Sequence, residues 1–137
     1  MIDPCLALQT GVRNALINAP AVTALVPADH IRTGQMRKES LPCIIMAGTQ
    51  TQFVGHGAGA QFIARVWLDL HIWALDAGQD TAKAIAFAVQ SALLQNPSLP
   101  GCSLDEFDAK NVIWVRDPDP QFAHGVVKIE AVVRWKL

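Results

Sequence analysis

Charge is scarce in this chain. Only 17% of its residues are Asp, Glu, Lys or Arg, and the net charge is −1. No global field therefore draws it to nucleic acid or to an acidic membrane surface. A nucleic-acid binder wants a basic stripe beside stacking aromatics. Here the aromatics exist, but Arg65 beside Trp67 is one cation, not a patch. No apolar run approaches the roughly 20 residues that a membrane helix needs, and the opening MIDPCLALQT has neither the basic nor the hydrophobic region of a signal peptide. The three cysteines, Cys5, Cys43 and Cys102, are odd in number and widely spaced. They fit no zinc or redox motif and read as buried free thiols in a reducing compartment.

Catalytic signatures are missing too. The four histidines, His30, His56, His71 and His124, form no HxxxH or HExxH pair. No G-x-S-x-G elbow occurs, and no spacing pairs a cysteine with a base. The glycine-rich stretch Gln52–Gln61 (QFVGHGAGAQ) contains no Gly-Lys-Ser/Thr and lies between two strands, so it reads as a hairpin loop, not a phosphate cradle. Carboxylates cluster at Asp105, Glu106 and Asp108 and again at Asp117 and Asp119, in segments that read as turns, where Asp serves backbone geometry. The expectation is a chain with no cofactor, no metal and no catalysis.

What the chain has in surplus is hydrophobic surface, 51% of residues in a length that makes one domain spanning 1–137. Phe62–Leu75 (FIARVWLDLHIWAL) shows it best. One face reads Phe62, Ala64, Val66, Leu68, Leu70, Ile72, Ala74, a core strand with a period of two. The other reads Ile63, Arg65, Trp67, Asp69, His71, Trp73, Leu75, with two tryptophans and two aliphatics where a solvent face would be polar. Such a strand packs on both faces or shows the second to another subunit.

Around it the pattern predicts a first helix capped by Asp3 with Pro4 at its first position, carrying Cys5, Leu8, Val12, Ala15 and Leu16 on one stripe. A short turn over Pro20–Leu25 and an extended piece at Ile31–Thr33 follow. Pro42–Thr51 reads as a strand. A second amphipathic helix is expected over Thr81–Gln95, with Asp76 or Asp80 as its cap. Val112–Arg116 and Gly125–Leu137 read as strands, the latter with Val127, Ile129, Ala131, Val133, Trp135 and Leu137 inward. The expected fold is α+β: an antiparallel or mixed β-sheet with two α-helices packed on one face, in the order α-β-β-α-β-β.

Three segments together carry a family resemblance. The first is the N-terminal helix running into Val22–Val26 (VTALV) and Ile31. The second is the strand followed by Ala82–Leu94 (AKAIAFAVQSALL) and Leu99-Pro100-Gly101. The third is Val115-Arg116-Asp117-Pro118-Asp119, then His124-Gly125-Val126-Val127 and a terminal strand. In order and spacing this resembles the tail-completion (tail-terminator, head–tail joining) proteins of long-tailed bacteriophages, prophages and gene-transfer agents. The resemblance implies a non-enzymatic virion protein, made in the host cytoplasm. It implies a ring, usually hexameric, at the head-proximal end of the tail tube. The ring contacts the tail-tube protein and the head connector, and DNA passes through its lumen without specific binding. A near-neutral chain suits such a conduit.

A ring needs heterologous contacts, in which one patch meets a different patch on the neighbour. The candidate contact residues are Arg65, Trp67, His71 and Trp73 on the surplus face. Phe53, Val54 and His56 in the glycine-rich loop, with Asp117, Asp119 and Phe122 around the loop Asp117–Gln121, complete the set. The alternatives are another connector or tail-tube subunit, and a small ligand-binding domain or enzyme.

Overall fold

A computed structural model describes residues 2–75 and 79–136. Helix α1 (Pro4–Ile17) begins as its sequence dictates: the Asp3 carboxylate accepts hydrogen bonds from the Cys5 and Leu6 N–H groups at 2.8 and 3.1 Å. Its buried stripe is Ala7, Leu8, Gly11, Val12 and Leu16, so Cys5 and Ala15 lie at its margin. The small residues let α1 press against the chain near Ser98. A Cβ on Gly11 would stand 2.6 Å from the Ser98 carbonyl oxygen.

After the short helix α2 (Pro20–Thr23) come strand β1 (Ile31–Thr33), then β2 (Cys43–Gly57) and β3 (Gln61–Leu75), helix α3 (Asp80–Ala92), and β4 (Ser103–Arg116) and β5 (Phe122–Lys136). The five strands form one sheet in the order β1-β2-β3-β5-β4. β1 runs parallel to β2 and the other neighbours are antiparallel. The fold is thus α+β with a mixed sheet. The expected element order gains α2 and β1, both of which the sequence marked as short pieces.

Three boundaries differ from expectation. β2 runs on to Gly57, and the expected loop Gln52–Gln61 shrinks to a turn at residues 58–60. Its glycines sit within a bulged strand: the register with β3 shifts between Phe53 and Gly55, and Gly55 takes φ +142. β4 starts at Ser103, so Asp105, Glu106 and Asp108 lie in an edge strand, not a turn. An edge strand tolerates charge because it has water beside it. α3 ends at Ala92, earlier than expected, and its cap position is Gln79, with Asp80 in the first turn. The expected cap Asp76 and the expected inward residue Leu137 lie outside the described residues.

α1 and α3 cover the same face of the sheet. They bury Ala64, Val66, Leu68, Leu70 and Ile72 of β3 and Val127, Ile129, Ala131 and Val133 of β5 against Leu8, Val12, Leu16, Ile85 and Val89. At the edge, the Trp114 ring of β4 packs closely against Gly125 of β5, its partner in the register. A Cβ on Gly125 would stand 2.6 Å from the indole. Cys43 is buried, while Cys5 and Cys102 are half-buried, so the expectation of buried thiols holds for one of the three.

Candidate assembly surface

The second face of the sheet carries no helix among the described residues, and this decides where the tryptophans lie. Trp67 and Trp73 alternate with the helix-covered residues of β3, so both project from the open face. β5 contributes Phe122, His124, Val126, Lys128, Glu130, Val132 and Arg134 to the same side, because antiparallel partners share a face. β4 adds the exposed Ile113 and Val115.

One half of this face is aromatic. The register sets Trp73 opposite His124, and their rings stack with centroids 3.8 Å apart and 11° between planes. His124 Nε2 meets His71 Nδ1 at 2.8 Å, so one imidazole donates and the other accepts. Trp73 also meets Phe122 edge-on at 6.5 Å, and the Lys38 ammonium sits 5.4 Å from the Phe122 ring centre. Burial pushes the His124 pKa down to about 4, with His71 adding to the shift and Asp117 opposing it. Burial also lowers the His71 pKa, opposed by Asp69 and aided by Lys128. Both rings are therefore neutral at neutral pH.

The other half is ionic and closed on itself. Lys128 Nζ reaches both oxygens of the nearly buried Asp69 carboxylate at 3.0 and 3.1 Å. Arg65 binds Glu130 at 2.8 Å and lies 3.8 Å from Glu106. Arg134 binds Asp105 at 2.7 Å and the Gln61 amide oxygen at 2.8 Å. Trp67 lies between the halves, half-buried, flanked by Gln50 on β2 and Glu130 on β5.

The sequence candidates thus divide into three groups. Arg65, Trp67, His71, Trp73 and Phe122 share the open face. Phe53 and His56 lie on the other side of the β2–β3 hairpin, with rings against Trp135 and Phe62. Phe53 is nevertheless 71% exposed and Val54 59%. Asp117 and Asp119 shape the β4–β5 turn: each carboxylate accepts a backbone N–H two residues on, from Asp119 and Gln121, at 2.8 and 3.0 Å. Sequence reasoning left out His124, Lys128 and Glu130. They face β3 residues about 60 positions earlier, a pairing that no local pattern encodes.

All three thiols have raised pKa values, chiefly from burial, with Cys43 at about 11, which disfavours the nucleophilic thiolate. Among the described residues no group of three His, Cys, Asp or Glu side chains could hold a metal ion. No helix of the described residues is long and apolar enough to cross a membrane.

Residues 10–134 match the family model described as tail completion protein gp17. The chain belongs to this family. As a tail completion protein it is a structural component of the virion tail, the setting that the sequence resemblance implied. A chain in a solved structure titled "Virion of native gene transfer agent (GTA) particle" has the same fold. The TM-score is 0.76 at 18% identity, over 98% of this chain and 99% of that one. No curated protein matches the chain.

Proposed function

We propose that this tail completion protein is the tail terminator. It acts as a single domain that closes into a ring, six copies being the family-like number, on the head-proximal end of the tail tube. One side of the ring seats on the tube protein and stops its growth; the other presents the head connector with a docking surface. DNA passes through the lumen without specific binding, and the protein performs no catalysis.

The observation that carries this reading is the open face. Trp67 and Trp73, with the exposed Ile113 and Val115, make an apolar surface that no helix of the described residues covers. Patches of this kind mark contact sites. The residues Arg65, Trp67, His71, Trp73 and Phe122 are proposed to meet neighbouring subunits there. The turn bearing Asp117 and Asp119 meets the tube or connector. Membrane contact plays no part.

The test is native mass by light scattering across a concentration series, with tail capping scored by electron microscopy. Trp73→Glu should remove about 1.5–3 kcal/mol of apolar contact per interface, roughly a 10- to 150-fold weaker association. Tails assembled with it should run past their normal length. Normal capping by a variant that stays monomeric would refute the ring.

A further inference from the structure

Two further apolar surfaces lie on the helix side of the sheet, at its opposite edges. At the β4 edge, the C-terminal half of α3 and strand β4 leave a groove of about 430 Å³ lined by Phe87, Leu94 and Phe107. Phe87 is 74% exposed and Leu94 84%. The groove is braced: Gln90 donates to the Ala109 and Lys110 carbonyls at 3.2 and 2.7 Å, where β4 bulges. At the other edge stands the β2–β3 hairpin with Phe53 and Val54 outward. β1 pairs only with Ile44–Met46, so from Ala47 onward β2 has no outer neighbour among the described strands.

The two surfaces match in height and side, and the hairpin and the helical wall of the groove are both uncharged, while Asp108 and Lys110 line the strand wall. Phe107 pairs with Ala131, Ala131 with Val66, and Val66 with Thr51. Leu104, Val133, Ala64 and Phe53 form the parallel row one step away. Phe53 and Phe107 therefore sit two residues apart along the strand axis, both on the helix side. Residues 49–63 hold no Asp, Glu, Lys or Arg, and neither do residues 84–104, which include the helical wall of the groove. Counting across the sheet, β2 and β4 run antiparallel. A sideways repeat of the molecule, without flip or slide, lays the β4 edge of one copy along the β2 edge of the next in pairing orientation. The sheet itself separates each hairpin from its own groove, so only another copy can bring them together.

We propose that the groove between α3 and β4 of each subunit receives the Phe53–Val54 hairpin of the next, head to tail. This contact rests on the ring reading above and names one of its interfaces. It is heterologous, so it propagates until the rotation closes.

The test is cross-linking of Phe53→Cys/Leu94→Cys protein with a short bis-maleimide, in a Cys5→Ser, Cys102→Ser background. It is run in solution and on tail-tube ends. The expected result is a ladder of covalent multimers, with each single-cysteine variant staying monomeric on the denaturing gel. Phe53→Glu in the otherwise wild-type chain should lower the thermal midpoint only slightly, its ring touching Trp135 but standing 71% exposed, and should abolish the oligomer. Wild-type assembly or capping with no ladder, and with Phe53→Glu still assembling, would overturn the groove contact and leave the ring standing on the open face. Efficient dimers from Phe53→Cys alone would show a hairpin-to-hairpin contact and overturn it too. A wild-type chain that neither oligomerises nor caps tubes would overturn the ring reading and this contact together.

Discussion

At the scale of single residues, two positions carry sharp expectations. Gly125 gives the Trp114 ring its seat, and a Cβ there would overlap the indole at 2.6 Å. Forcing volume into a packed site costs about 1–3 kcal/mol. Gly125→Val should therefore lower the unfolding free energy by about that much in urea titrations. The added loss of β4 order should appear as faster amide exchange over Val112–Arg116. His124 is the second. Its pKa is about 4 in the fold, against about 6.5 in the unfolded chain. Between those values the unfolded state binds more protons, so the stability is full above the unfolded value and is lost as pH falls toward the folded one. The urea midpoint should drop from pH 7 to pH 5, and His124→Gln should flatten that drop. An unchanged pH profile in the variant would mean that the His71–His124 contact is not its source.

At the scale of elements, the open face joins three strands through side-chain pairs as well as backbone ladders. Lys128 crosses from β5 to Asp69 on β3. The lysine is half-exposed, so solvent screens the pair. Lys128→Met nevertheless leaves a nearly buried carboxylate without its cation and should cost about 1–2 kcal/mol. The double change Asp69→Leu/Lys128→Met should recover most of that in thermal unfolding.

How far these elements were legible follows from what encodes them. α1 is legible because its cap and its first-turn proline are adjacent in the chain. β3 is legible because its period of two runs unbroken for over a dozen residues. The far half of β2 is not, since glycines that mark bulges look the same in sequence as glycines that mark loops. The first half of β4 hides for a related reason: edge strands carry the charges that elsewhere signal turns. The aromatic half of the open face was half legible. Trp73 and His71 follow from strand alternation, but His124 enters only through the β3–β5 register, which α3 and β4 separate in the chain.

At the scale of the whole molecule, one sheet serves two purposes. Its helix side holds the hydrophobic core of the subunit, and its open side and edges are the surfaces proposed for contact. This division lets an interface residue change without unfolding the protein. Trp67→Glu should accordingly keep the native circular dichroism spectrum while weakening the oligomer, as read by light scattering.

The closed ionic ladder has a kinetic consequence. Arg65, Lys128 and Arg134 are each answered by a carboxylate on the same face. Little field reaches beyond a Debye length, so under the proposed reading a partner would meet this surface by unguided diffusion. Encounter should then run at about 10^5–10^6 per molar per second, the range without steering. It should change little between dilute and concentrated salt in stopped-flow measurements, so that assembly is timed by how many copies are present and not by the ionic conditions around them.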